Sequence, residues 1–425
     1  MVELLAPAGS FAALTAAINA GADSVYLGIG ELNMRSASAI NFTPENLLKA
    51  VKQAHVANVK VYVTVNTLIY DAEMPELKKI LKAVKKSGAD AIIASDQAVI
   101  MQARDLNIPI HISTQLSVSN YQTVKFYAQF AERIVLAREL SLEQIKEICQ
   151  QIKKEKLQGA TGRLMEIEVF AHGALCVAVS GRCAMSLYFY NKSANRGKCS
   201  QICRRQFKVT DLSTNKELVL DNNFLMSSAD LSTIGFLPQL LATGIKVLKI
   251  EGRGRPPEYI DTVIRTYQEA ISSINEDTYS EAKVKIWQKK LETVFNRGFT
   301  SNFYQGKEIA EWSGIHGSKA TEIKVFLGNV EKYYPKSAVI HAKIKAKEII
   351  KSGDKVMILG PKTGVLKFLL PEMLVNDVQS DSAKQGDDIT FKFAKTVKAK
   401  DELYKIVKNN STVSKGKEFF ISKEK

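Results

Sequence analysis

The sequence predicts a mixed α/β chain in which a closed (β/α)8 barrel carries a cysteine-rich insertion and is followed by a small antiparallel β-barrel. Three observations lead there. Eight short apolar runs alternate with amphipathic stretches over about the first 250 residues. The interval between the seventh and eighth runs, residues 174–244, is far too long for an ordinary βα connection and holds four of the five cysteines. From about residue 321 the texture changes to short alternating strands.

The strand-like runs are "VELLAPAG" (2–9), "DSVYLGI" (23–29), "VKVYVTVNTL" (59–68), "ADAIIASD" (89–96), "PIHISTQ" (109–115), "ERIVLAREL" (132–140), "EIEVFAHG" (166–173) and "IKVLKIEGR" (245–253). Stretches such as "TPENLLKAVKQAHVAN" and "LEQIKEICQQIKKEK" between them have helical periodicity. Eight strands is the count of a TIM-like barrel. A doubly wound open sheet is the competing arrangement, and differs in dividing its helices over two faces. In a barrel, the connection after the seventh strand leaves from the end where active sites sit, so 174–244 is expected to roof the mouth. Helices are predicted at 256–274 and near 281–295, then "NRGFTSNFYQGK" as a turn-rich linker. The expected organisation is a barrel domain over 1–300 with its lid at 174–244, a β domain over 321–405, and a basic tail over 406–425.

The 425 residues carry a formal charge of +15, which invites a polyanionic partner such as RNA. Lys is the default cation, 46 against 13 Arg, yet six of those Arg (182, 196, 204, 205, 253 and 255) fall within 74 residues. Arg offers carboxylates and phosphates a planar fork that Lys lacks. The start carries Glu3 and Pro7 without a basic flank, and no apolar run has the roughly 18 residues of a membrane span. A cytoplasmic location, where thiols stay reduced, is therefore expected.

In that setting clustered cysteines point to metal or redox chemistry. Cys176 and Cys183 are separated by six residues, Cys199 follows after fifteen more and Cys203 after three. Four thiolates can hold zinc or an iron–sulfur cluster; the C-x2-C knuckles of structural zinc are missing, and the irregular spacing suits a cluster in a loop-rich pocket. Buried inert thiols are the alternative. Cys149, in the periodic "LEQIKEICQQI", reads as a packing residue.

Strand alternation selects the remaining candidates. His172 is expected on one pleat face with Glu166, Glu168 and Phe170, and Lys249, Glu251 and Arg253 alternate along strand eight. Asn66, Gln115, Arg138 and Glu139 fall at the C-terminal ends of strands three, five and six, and Asn33 and Arg35 just past strand two. The expected catalytic residues are His172, Glu168 and Glu251. Asn66, Gln115, Arg138, Glu139, Lys249 and Arg253 are expected to bind substrate, with Arg204 and Arg205 beside the last cysteine to hold phosphate. Hydrolytic signatures such as H-E-x-x-H and G-x-S-x-G do not occur, nor do a Walker loop or G-x-G-x-x-G after a strand. His55, His316 and His341 have no accompanying motif.

The stretch "EVFAHGALCVAVSGRCAMS" (168–186) resembles the signature of the collagenase-like U-32 peptidase family. "ELLAPAGSFAALTAAINAGADSVYLG", "NMRSASAINFT", "HISTQLSVSNYQTVKFY", "RIVLARELSLEQI", "NRGKCSQICRR" and "LKIEGRGRPPEYIDTVIRTY" resemble further family blocks, so the likeness spans roughly residues 2–300. It implies RNA or quinone hydroxylation rather than proteolysis alone. One branch makes 5-hydroxyuridine at the tRNA wobble position with prephenate as hydroxyl donor. Relatives hydroxylate a ribosomal RNA cytidine or ubiquinone precursors, the latter with a 4Fe–4S cluster. The resemblance implies Cys176, Cys183 and Cys199 as cluster ligands, with Cys203 as the fourth, because the "DL-C" cysteine of some members is Ser232 here. The β-rich C-terminal part resembles the tRNA branch. The expected partners are thus tRNA and a small hydroxyl donor, in a homo- or hetero-oligomer or alone. A collagen-directed peptidase and a cluster-bearing scaffold are the rival readings.

Overall fold

The computed structural model describes residues 2–215, 217–218, 224–306, 312–315 and 317–410. Residues 411–425, most of the expected basic tail, lie outside the described residues, as does His316. Seven strands, β1 (Glu3–Ala8), β2 (Ser24–Gly28), β3 (Lys60–Val65), β4 (Ala91–Ala94), β5 (Ile110–Ile112), β6 (Arg133–Val135) and β7 (Glu166–Ala174), pair in parallel, each with the next. The interval after β7 holds three short strands. β8 (Val209–Thr210) and β9 (Glu217–Leu218) form a hairpin, and β10 (Asp230–Ser232) runs antiparallel to the end of β7. β11 (Val247–Ile250) then pairs in parallel with both β7 and β1 and closes the barrel. Closure decides against the open doubly wound sheet.

The outer helices begin where side chains take up their free N–H groups. Ser10 caps α1 (Phe11–Asn19), and Thr43 with Asn46 forms a capping box at α2 (Pro44–Val56), whose first residue is proline. α3 (Met74–Ser87) ends on Gly88 at φ 75°, α4 (Gln97–Asp105) starts behind Asp96 and α5 (Tyr121–Ala128) behind Asn120. α6 (Leu142–Glu155) buries Ile145, Ile148, Cys149 and Ile152 along one face, which makes Cys149 a core residue. The insertion adds short helices α7 (Met185–Tyr190) and α8 (Leu237–Ala242), and α9 (Pro257–Asn275) and α10 (Glu281–Glu292) follow β11.

The turn-rich stretch after α10 is not a free linker. Its Phe299–Thr300, strand β12, pairs with β10, and Tyr304 donates to the Phe170 carbonyl at 2.7 Å. Gly and Asn signal turns well, but a two-residue strand leaves no periodicity to read.

The C-terminal part is an antiparallel sheet in the order β17-β16-β22-β13-β14-β21-β18-β19. Its strands are β13 (Glu322–Tyr334), β14 (Val339–Ile344), β16 (Lys355–Gly360), β17 (Gly364–Leu369), β18 (Met373–Val375), β19 (Val378–Ser380), β21 (Asp388–Lys392) and β22 (Glu402–Lys408), while β15 (Ile350–Lys351) pairs with β20 (Ser382–Ala383). It curls round one apolar core that includes Leu327, Ile340, Val356, Ile358, Phe391 and Leu403. The sheet docks on α1 and α9. Thr15 and Asn19 donate to the carbonyls of Pro361 and Thr363, Lys324 pairs with Glu258 at 2.9 Å, and Ala16 packs with Met357 and Val365. No described helix is long and apolar enough to cross a membrane.

The barrel is filled in layers. Leu5, Tyr26, Tyr62, Ala91, Ile93 and Val247 form an apolar plug. Below it Arg133, only 4% exposed, donates to both oxygens of Glu3 at 2.9 Å and to Glu166 at 2.8 Å, with Glu168 at 3.8 Å. Removing one partner of such a buried set strands the others without compensation. Arg133→Met takes the shared guanidinium from Glu3 and Glu166, while Lys249 stays on Glu168 and Lys60 3.8 Å from Glu3, and is expected to lower the unfolding free energy by about 3 kcal/mol in a denaturant titration. A variant as stable as the parent would contradict this account of the barrel floor.

Candidate active site

Near its end β7 slips against β11. Lys249 stands opposite Phe170 and Ile250 opposite His172, leaving Ala171 as an extra residue. Such a bulge inverts the alternation beyond it. Glu168 and Phe170 keep to the barrel interior, but His172 turns outward among the rings of Tyr259, Tyr267 and Phe299, at 5.5–6.1 Å between centroids. Burial, with Arg255 adding to it, pushes its pKa down to about 3, so the ring is neutral. His172 is therefore not in the mouth, where strict alternation put it. Gly173, at φ 108°, follows the bulge, and a Cβ there would lie 2.5 Å from the Glu251 carbonyl oxygen.

A cavity of about 530 Å³ opens at the C-terminal ends of the strands. The insertion covers it: Arg182 donates to the Gln115 carbonyl, Arg196 to the Leu68 carbonyl and to Glu73, and the Ser180 amide to Glu139. Of the expected residues, Asn66, Gln115, Arg138, Glu139, Arg204, Lys249, Glu251 and Arg253 line the wall, whereas His172, Glu168 and Arg205 do not. Glu168, fully buried, lies deeper and holds the Lys249 ammonium at 2.8 Å.

The wall is cationic, with Arg35, Arg138, Arg204, Arg253, Arg255, Arg297 and Lys249 set against Glu139 and Glu251. Arg35 donates twice to Glu251 Oε1, at 2.6 and 3.2 Å. Burial opposes ionisation of Glu251, but Arg35 and Arg138 outweigh it and hold its pKa at about 2, so it is a fixed carboxylate rather than a proton donor. Arg297 is 3.3 Å from Asp230. Arg253, 4% exposed, donates to Thr64 and Asn33, and the missing side chain of Gly28 leaves room for it: a Cβ there would meet its Nη1 at 2.1 Å. Arg138 lies over the Phe170 ring at 3.9 Å and donates to the Ala174 carbonyl, while its Nε has no hydrogen-bond partner among the described residues. Asn66 donates to Gln115 Oε1 at 3.2 Å, making a polar ledge opposite the arginines.

Arg204 is spoken for. Its guanidinium donates to the carbonyls of Leu175 and Ser228 and to the Ser227 hydroxyl, tying the start of the insertion to its end. Arg205 is exposed on the lid's outer face, over Tyr190. Sequence reading did not select Arg255 or Arg297. Arg255 continues the strand-eight alternation past Arg253 and stacks on Phe295 at 3.5 Å; Arg297 sat in the stretch read as a linker.

Cys176, Cys183, Cys199 and Cys203 all line this cavity, and Ser232 does not. Burial raises the Cys203 pKa, Arg204 opposes that, and Cys176, Cys199 and Cys183 add to the rise, so the four thiols feel one another. Among the described residues no three His, Cys, Asp or Glu side chains stand close enough for a single metal ion. Four thiols on one cavity wall are a donor set of the kind a four-iron cluster takes, one thiolate on each iron.

The pattern of peptidase family U32 matches residues 9–314. The chain belongs to peptidase family U32. Its U32 relatives carry two kinds of name. A collagenase of Porphyromonas gingivalis is 43% identical over 406 residues, 96% of this chain and 98% of its own length. An uncharacterized protease of Methanocaldococcus jannaschii is 37% identical over 95% of this chain and 98% of its own. The tRNA hydroxylation protein P1 of Bacillus subtilis is 34% identical over 85% of this chain and 84% of its own. Both kinds of name point to an enzyme.

His172 also yields a pH test. The unfolded ring protonates near 6.5 and the folded one only near 3, so the unfolded chain binds the extra proton between those values and stability falls on acidification through that window. His172→Phe keeps the aromatic packing without the titration. Its stability should fall less steeply over this range, by about one bound proton in the slope; parallel curves for the two proteins would place the ring in water.

Proposed function

We propose that the chain hydroxylates a tRNA base, converting the wobble uridine to 5-hydroxyuridine, with a 4Fe–4S cluster on Cys176, Cys183, Cys199 and Cys203. The observation that carries this reading is that all four thiols share a wall with six arginines. Once Arg35, Arg297 and Lys249 are set against their carboxylates and Arg204 against its carbonyls, Arg138, Arg253 and Arg255 make no direct ion pair among the described residues and feel Glu251 and Asp230 only at longer range. Partly or fully desolvated guanidiniums in excess of carboxylates favour an oxyanion ligand. Prephenate, a dicarboxylate, fits this need as hydroxyl donor. Its C–O bond is broken as the base exchanges C5–H for C5–OH; the donor takes up the two electrons that the base gives up and a proton in place of the one lost from C5, so base–H and donor–OH become base–OH and donor–H.

The cluster, when bound, supplies electron transfer or Lewis acidity toward oxygen. The chain's own residues do the rest. Arg138 and Arg255 orient the carboxylates, the Asn66–Gln115 ledge offers hydrogen-bonding edges to a base, and the lid excludes water. A base must leave its stack to reach the cavity, which an unpaired anticodon loop permits cheaply. Peptide hydrolysis is favoured by the names of the more similar relatives, but the described wall holds serines without a histidine beside them.

Nucleoside analysis of tRNA from a deletion strain should show loss of 5-hydroxyuridine-type nucleosides, restored by the parent gene, and purified protein should leave gelatin intact. Unchanged nucleosides together with gelatin cleavage would establish the peptidase reading instead. Among variants purified without oxygen, Cys203→Ser should lose most of its iron and visible absorption, and Ser232→Ala should keep both. The reverse would move the fourth ligand to β10.

A further inference from the structure

Helix α7 presents consecutive large side chains to solvent: Leu187 is 48% exposed, Tyr188 86%, Phe189 56% and Tyr190 44%. Single exposed apolar residues are ordinary, but a contiguous set marks a contact surface. The helix starts at the cavity: Met185 and Ser186 are in its wall, and the Met185 amide lies 3.4 Å from Cys183 Sγ. At 1.5 Å of rise per residue, Tyr188 stands only about 5 Å along the axis from that wall.

The surroundings carry one sign of charge. Residues 174–210 include seven Lys or Arg and no Asp or Glu. Arg196 is paired with Glu73, Lys208 with Glu217, and Arg204 is taken up by backbone carbonyls. That leaves Lys192, Lys198 and Arg205 exposed on the segments that flank α7, with Arg205 donating to the Tyr190 hydroxyl and lying over its face. Tyr188 and Phe189 meet edge to face at 5.4 Å, and Phe189 and Tyr190 tilt at 45°, so neither pair is stacked face to face.

Exposed aromatic rings on a segment rich in exposed cations are the chemistry that holds unpaired nucleobases on a phosphate backbone. We propose that α7 is a stacking platform for the unpaired bases next to the one that enters the cavity. This rests on the RNA reading above and deepens it: the chain selects a single-stranded loop because only unpaired bases can lie on Tyr188 and Phe189. Paired RNA offers phosphates but no free faces, and binds through the cations alone.

The test uses the full-length protein with an RNA hairpin bearing an unpaired loop and a fully paired RNA of equal length. Tyr188→Ala with Phe189→Ala should weaken hairpin binding roughly tenfold or more and leave paired RNA nearly unchanged. The slope of affinity against salt should stay at the parent value, because no cation is lost. Tyr188→Trp with Phe189→Tyr should bind like the parent, and Arg205→Gln should lower the salt slope on both RNAs. Iron content and melting temperature serve as fold controls, and Tyr188→Ala alone is the milder variant if the pair proves unstable. Unchanged hairpin affinity in the alanine variants overturns the proposal, as does equal loss on both RNAs. A parent dimer that the alanine variants split without change in RNA binding assigns the face to a second copy and overturns it too. If the deletion strain keeps its modified nucleosides while hairpin binding still depends on the rings, the hydroxylation reading fails and the platform stands.

Discussion

The open end of the barrel depends on the last three residues of β7 finding a new strand neighbour. β6 accompanies β7 only as far as Glu168; above that β10 takes over the vacated edge, opposite His172, Gly173 and Ala174, while β11 follows the other edge as far as His172. Strand edges left unpaired in a buried setting are costly, so the insertion must come back to supply β10. That return sets the shape of the roof. It brings Ser227 and Ser228 to Arg204, places Cys176 two residues beyond the paired end of β7, and seats Phe299 against the outward-turned His172.

Charge is distributed through the barrel along the same axis. The floor is a closed ion network in which each charge has a partner; Lys249 and Glu168 link it to the middle, and at the mouth cations outnumber carboxylates. A fully paired interior is inert and holds shape. An excess of one sign at a concave, partly desolvated wall concentrates the opposite charge there. The transition from the one regime to the other falls at Phe170, which separates Glu168 from the cavity and carries Arg138 on its face.

Most of the barrel was legible because period-two runs and glycine- or asparagine-bounded helices report directly on local backbone preference. Seven of the eight barrel strands fall inside the runs from which they were expected and β7 passes its run by one residue, to Ala174; the change to antiparallel strands near 321 was legible as well. The site was legible where geometry follows alternation: Lys249, Glu251 and Arg253 share the interior face of strand eight and its extension. It was not legible at Ala171, since a bulge is fixed by the pairing of two strands far apart in sequence, and no residue type announces it. The same holds for Arg204, which looked like a free cation and proved to be bonded to backbone carbonyls. The stretch from Asn296 to Gln305 was misread for a related reason: its order comes from β10, not from its own composition.

The docking of the C-terminal sheet on α1 has a consequence for how the chain is made. Thr15 receives its partner carbonyl from a residue 346 positions later, and Ala16 its apolar neighbours from the same region. At about 5–20 residues per second, the first helix leaves the ribosome on the order of twenty seconds to a minute before the surface that covers it. For that interval the nascent barrel shows a bare strip along α1, and until β11 is made it lacks its closing strand as well. The long wait makes the order of synthesis, N-terminal barrel before C-terminal cover, part of how the fold is reached.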